Sequence, residues 1–271
     1  MKVRIAVVQF EAKQFSPEEN LKKAEEFVKS ASKKADIIVF PENFITGILF
    51  GKIEYADSER RYCKHFQDIA KRYRINIVPG SIIERHKSGI YNTTYFIDSR
   101  GKIRGEYRKI NLWHSEKNYI SSGDKVSVFN TKFGKVGLAI CWDLAFPEIF
   151  RAMAKKGVDI IFCPSFWSKD DAGRGIKYNK NSEIIFVDSA CVSRAFENEV
   201  ILVFCNNAGK SKFRKYEIES IGHSQITAPF VGVVKRLNHN REEMFIQEVD
   251  TNILKDAEMV YKIKKDMRYF V

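Results

Sequence analysis

The chain has 271 residues, of which 44% are apolar and 30% charged, with a formal net charge of +12. That apolar content can fill a large core, and α/β chains of this length commonly fold as one unit, so a single domain over 1–271 is expected. No apolar run approaches the roughly 20 residues of a membrane-crossing helix, which leaves membrane-spanning functions out.

The predicted elements alternate from the start. Val3–Phe10 is too short for a signal peptide and lacks a cleavage site, so it reads as a first strand and the cytoplasm is the expected location. A helix follows, with Ser16 as cap, Pro17 as first residue and Glu19 as the capping-box acid. Leu21, Ala24, Phe27, Val28 and Ala31 recur at helical spacing and form its apolar face. Strand 36–40 completes a βαβ unit and is stopped by Pro41, which places Glu42 at its carboxyl end. Open α/β sheets build their sites at such ends. A helix over 57–74 and a strand over 75–83 come next. The middle of the chain then pairs strands through turns at Ser88-Gly89, Ser99-Arg100-Gly101 and Lys132-Phe133-Gly134. Lys109 follows the second of these turns.

The run Lys135–Ile140 reads as another buried strand, and Cys141-Trp142-Asp143 turns from it toward a helix over 147–156 that opens on Pro147. A cysteine on such a turn lies near amide N–H groups and a helix amino terminus, both of which favour the thiolate. Strand 158–163, helix 183–196, strand 200–205, short strands within 215–248 and a helix after Thr251 complete the chain. Units of βαβ mixed with hairpins imply mixed sheets with helices outside them.

The five cysteines, at 63, 141, 163, 191 and 205, include no Cys-x-x-Cys pair and none at zinc-ligand spacing from a histidine, so no metal or other cofactor is expected. Cys163 is the rival nucleophile, but Pro164-Ser165-Phe166 after it starts no helix. Taken alone, Cys141 also fits a small core residue, Glu42 a helix cap and Lys109 a solvated charge.

Together with their flanks, these residues resemble the nitrilase (carbon–nitrogen hydrolase) superfamily. The matching pieces are Pro41-Glu42-Asn43-Phe44, Tyr107-Arg108-Lys109-Ile110-Asn111-Leu112 and Gly137 through Glu148, in the chain order Glu, Lys, Cys. Gly123-Asp124, Arg194–Asn198, Asn206 with Gly209, and Gly222-His223-Ser224 fit as well, so the likeness runs from Val3 to about Val249. It implies a four-layer α-β-β-α sandwich with two mixed sheets packed face to face. It also implies a homodimer or higher homo-oligomer joined through helices. The tail after residue 251, and Tyr261–Val271 above all, lies beyond the likeness and is a candidate either for a subunit contact or for covering its own sheet.

The resemblance further implies chemistry. Cys141 would attack a carbonyl and form a thioester, and Glu42 would serve as general base and acid. Lys109, with the Trp142 backbone N–H, would stabilise the oxyanion, and Glu116 would position Lys109 or the substrate. Phe44, Phe166 and Trp167 sit on loops expected near the substrate, and Arg174 and Lys177 could receive a substrate carboxylate. Asp143 stands where nitrilases proper usually carry glutamate, which favours a small linear amide or N-carbamoyl amine over a nitrile.

A non-catalytic nucleic-acid-binding protein is the competing class, suggested by the net charge. Its basic residues, among them Lys22-Lys23, Arg60-Arg61 and Lys155-Lys156, are scattered rather than interleaved with aromatics, so no nucleic-acid partner is expected.

Overall fold

The computed structural model describes residues 1–213 and 216–267. In chain order it contains β1 (Lys2–Gln9), α1 (Pro17–Ala31), β2 (Ile37–Val39), α2 (Arg61–Tyr73), β3 (Asn76–Val78), β4 (Ser81–His86), β5 (Gly89–Ile97) and β6 (Ile103–Arg108). β7 (Ser127–Thr131), β8 (Gly134–Leu138), α3 (Pro147–Lys155), β9 (Ile160–Ser165), α4 (Ser182–Asn198) and β10 (Ile201–Asn206) follow. The chain closes with β11 (Lys210–Phe213), β12 (Tyr216–Glu219), β13 (Gln225–Ala228), β14 (Gly232–Arg236), β15 (Glu243–Asp250), α5 (Asn252–Val260) and the short α6 (Ile263–Asp266).

Two mixed sheets result. One runs β15-β1-β2-β3-β5-β4 with β6 on β5; the other runs β14-β13-β10-β9-β8-β7. β1, β2 and β3 pair in parallel, as do β8, β9 and β10, while the hairpins supply the antiparallel pairs. β1 explains the layering. Val3, Ile5 and Val7 join a core containing Leu138, Phe162 and Val203 of the second sheet. Ala6 and Val8, on the opposite face, pack with Val28 of α1 and Phe66 of α2. Both faces of the strand are therefore covered from Ile5 on, where Ile5–Val8 reads as a continuous apolar run, while Lys2 and Arg4 before it stay exposed. Phe150 of α3 and Cys191 of α4 pack in the first core, so helices flank both sheets as the α-β-β-α expectation requires.

Local signals gave way to tertiary context in several places. Ser16 makes no side-chain capping bond, and Glu19 instead reaches Lys13 Nζ at 2.7 Å, so the expected capping box does not form. Helix α2 starts later than expected because Asp57 accepts the Tyr62 N–H at 2.9 Å and Arg60 turns left-handed. The expected strand over 75–83 is two strands, broken at Pro79-Gly80. Of the carboxyl-terminal tail, residues 268–271 lie outside the described residues, and the expectation placed on Tyr269 and Phe270 lies there with them.

Gly80 is required where it stands. Its φ is +67°, and a Cβ there would lie 2.0 Å from the carbonyl oxygen of Pro41, the residue before Glu42. Gly80→Ala should therefore lower stability by more than the roughly 1–2 kcal/mol of left-handed backbone strain alone. An unchanged urea midpoint would contradict this account of the turn.

Candidate active site

Glu42 is held from both sheets. Its backbone N–H donates to the Ser165 carbonyl of β9 at 3.2 Å, and its own carbonyl accepts from Asn207 Nδ2 at 2.8 Å. The side chain is equally constrained. Oε1 accepts from Lys109 Nζ at 2.9 Å and from Asn92 Nδ2 at 2.8 Å, and Oε2 accepts from the Phe166 N–H at 2.9 Å.

Lys109 follows β6, and its backbone N–H donates to Asn92 of β5 at 2.8 Å. Its ammonium donates also to Glu116 Oε2 at 2.7 Å. Glu116 lies in a 3-10 turn, His114–Asn118, and accepts further bonds from the Trp113 N–H at 2.8 Å and from Asn92 Nδ2 at 3.1 Å. One cation thus sits between two carboxylates, with all three groups more than nine-tenths buried.

Cys141 opens a 3-10 turn, Cys141–Ala145, just beyond Ala139 and Ile140 at the end of β8, with a left-handed φ of +45°. A non-glycine residue in that region marks a turn over-determined by its surroundings. Here Asp143 does much of the holding. Its carboxylate accepts from the Ile140 N–H at 2.9 Å, Tyr107 Oη at 2.7 Å and the Asn111 N–H at 2.9 Å. The cysteine turn and the lysine segment are therefore tied through one buried side chain.

The electrostatics correct the expectation of a thiolate. Burial, followed by the adjacent Glu42 carboxylate, pushes the Cys141 thiol well above its ordinary value, and Lys109 opposes this only in part. Cys141 opens a 3-10 segment, and the α-helix begins only at Pro147, six residues further on. Burial also raises Glu42, against the lowering effect of Lys109. Lys109 is held well above the ordinary lysine value: burial works against its charge, but Glu116 and Glu42 outweigh it. These directions favour a thiol over a thiolate and a firm ammonium, with Glu42 holding a proton more readily than an exposed glutamate.

These groups share a cavity of about 140 Å³ with Trp113, Tyr119, Trp142, Phe166, Trp167 and Asp171. Phe44 is not part of its lining. It is fully buried among Phe10, Phe40 and Phe66, because the chain after Glu42 turns back toward α2. Arg174 and Lys177 are likewise absent from the lining, since the segment 169–177 folds into 3-10 turns kinked at Gly173. Asn92 escaped notice in the sequence, although a signal existed. On β5 it shares a face with Ile90, Thr94 and Phe96, and a polar residue on an inward face needs a partner.

The comparisons with known proteins fit this geometry. The family model for carbon-nitrogen hydrolases matches residues 4–258. The 2-oxoglutaramate amidase of Bacillus subtilis (strain 168) is 32% identical over 255 residues, covering 92% of each chain. The nitrilase of Pyrococcus abyssi (strain GE5 / Orsay) is 31% identical over 281 residues, covering 99% of each. The crystal structure of Saccharomyces cerevisiae Nit3, a member of branch 10 of the nitrilase superfamily, superposes with a TM-score of 0.82 at 25% identity, over 95% of this chain and 93% of that one. The chain belongs to the carbon-nitrogen hydrolase family and is a carbon–nitrogen hydrolase.

Limiting iodoacetamide should label Cys141 before the other four cysteines, because its sulfur opens on the cavity with a carboxylate base beside it. Glu42→Gln should slow that labelling. First labelling at Cys163, or equal rates in the variant, would contradict the arrangement.

Proposed function

We propose that the chain hydrolyses the carbon–nitrogen bond of a small linear amide or N-carbamoyl amine through a thioester on Cys141, the whole chain acting as one catalytic domain. The observation that carries this reading is the convergence of a thiol, a carboxylate and a buried ammonium on one cavity. Attack by a neutral thiol requires a base at the moment of bond formation, and Glu42 takes the Cys141 proton as sulfur bonds to the carbonyl carbon. The carbonyl electrons move to oxygen, where the Lys109 ammonium and the Trp142 backbone N–H stabilise them; a donor of this kind is worth about 10²–10³ in turnover. When the tetrahedral intermediate collapses, Glu42 gives its proton to the departing nitrogen and ammonia or an amine leaves. Water then loses a proton to Glu42 and attacks the thioester. The acid departs as the proton returns to Cys141. Glu116 acts throughout by keeping Lys109 charged and in place.

The lining supports a substrate with an apolar middle. Trp142, Phe166 and Trp167 supply aromatic wall, and Asp171, pushed up to about 6 mainly by burial, supplies a carboxyl group. Lys109 is the one cation lining the cavity among the described residues, and two glutamates already surround it. An anionic substrate would meet three carboxyl groups, so a neutral or amine-bearing amide suits the cavity better. A nitrile is the second reading, favoured by the likeness to a relative named nitrilase. The partner is a small molecule, with the chain working as a homodimer in the cytoplasm. Ile185 and Phe186, exposed on α4, support pairing through the helical layer.

Intact-mass analysis after incubation with panels of amides, carbamoyl amines and nitriles tests the reading. A substrate should leave its acyl mass on Cys141, and Cys141→Ser should lose both adduct and hydrolysis while keeping its fold. Turnover by that variant at the native rate would overturn the assignment. The pH profile carries a sign. Glu42 must be unprotonated and burial raises it above 4.5, so kcat/KM should rise with pH through an inflection above that value. An acid limb at or below 4.5 would contradict the role of base.

A further inference from the structure

A second cleft, of about 180 Å³, lies on the reverse face of the sheet from Lys109. Successive residues of a strand point to opposite faces, and that alternation operates twice here. On β5, Asn92 turns to Glu42 while Thr93 lines the second cleft. At the end of β6, Lys109 turns to Glu42 and Glu116 while Arg108 lines the second cleft. Thr93 and Arg108 are partners in the β5–β6 register. One layer of backbone therefore separates the two cavities.

The floor of this cleft is polar and incompletely bonded. Thr93 is 1% exposed and Glu84 7%, yet Thr93 Oγ1 and Glu84 Oε1 have no hydrogen-bond partner among the described residues. The other Glu84 oxygen accepts from Tyr95 Oη at 2.5 Å. Burial pushes the Glu84 carboxyl up to about 7, so near neutrality it holds a proton part of the time and can donate it in a hydrogen bond. Buried polar atoms of this kind call for a partner.

The mouth has the opposite character. Arg60 and Arg108 flank it. Arg60 donates to Tyr95 Oη at 2.9 Å and to Glu106 at 3.2 Å. Arg108 lies 4.1 Å over the Tyr91 ring and 3.7 Å from the same Glu106. Arg85, opposite Ile90 in the β4–β5 register, lies on the other face of the sheet from Glu84 and Thr93 and donates to the Ile53 carbonyl at 3.2 Å. Two guanidinium groups thus share one rim carboxylate. They would repel a cation, and their planar forks match oxyanions.

We propose that this cleft is a binding site for a small oxyanion, a carboxylate or a phosphate group, whose charge meets Arg60 and Arg108 and whose oxygens reach Thr93 and Glu84. The site is distinct from the cavity of Cys141 and does not rest on the hydrolytic reading. Because Thr93 and Arg108 are the chain neighbours of Asn92 and Lys109, a ligand here presses on the segments that hold the catalytic cation.

A ligand that binds the folded state raises the unfolding midpoint with the logarithm of one plus its concentration divided by its Kd. Thermal unfolding of the full chain should be followed against sodium phosphate and sodium succinate, with sodium chloride at matched ionic strength as reference. A rise above chloride that follows this logarithm is expected for at least one of them. A rise with succinate alone assigns the ligand as a carboxylate, and with phosphate alone as a phosphate. Thr93→Val and Arg108→Gln, each checked for native circular dichroism, should weaken the apparent affinity at least about fivefold by removing one polar partner. Lys22→Gln, a change on the surface of α1, should leave it unchanged. No rise above chloride, or a rise equally strong in Thr93→Val and Arg108→Gln, would overturn the proposal.

Discussion

The site depends on one buried cation. Lys109 is 1% exposed, and its ammonium lies 2.9 Å from Glu42 and 2.7 Å from Glu116. Burying any of these charges alone is costly, and removing one partner of such a pair typically costs about 3–5 kcal/mol. Each group is tolerated because the others are present. Asn92 bridges the two carboxylates from β5, and Phe166 fixes the free oxygen of Glu42 from the second sheet. The arrangement is therefore a joint between the sheets as much as a set of reactive groups. Asp143 plays the matching part for the sulfur by tying the cysteine turn to Tyr107 and Asn111.

This constraint also sets the chemistry. A lone lysine beside a cysteine would lower the thiol, but here the lysine is already matched by two carboxylates, one of which adjoins the sulfur. Burial and Glu42 dominate, and the thiol stays neutral. On the proposed mechanism the nucleophile is made only when an electrophile arrives, by moving a proton to Glu42, whose own affinity burial has raised. A resting thiolate would be open to oxidation and alkylation; a guarded thiol is less so.

The sequence carried much of this, because fully buried strands and amphipathic helices leave strong patterns. The strands read at 3–10 and 200–205, observed as Lys2–Gln9 and Ile201–Asn206, and the apolar face of α1 were legible from hydrophobic spacing alone. Glu42, Lys109, Glu116 and Cys141 stood out by motif and chain order, and the structure brings the four around one cavity. What escaped depended on packing direction. Phe44 sits two residues from Glu42, but the turn sends its ring into the α2 core. The helix dipole expected at Cys141 required an α-helix where a 3-10 turn stands. Asn92 looked like ordinary strand polarity until its face was known to be the inner one.

The central claim is that Glu42 and Lys109 act on one reacting centre as a unit. A double-mutant cycle on kcat/KM for the amide identified by mass, using Glu42→Gln, Lys109→Met and the double variant, tests it most directly. Each single change should cripple hydrolysis, and the double variant should be little worse than the poorer single one. Losses that simply add would mean the two residues serve separate centres, and the account of the site would fail.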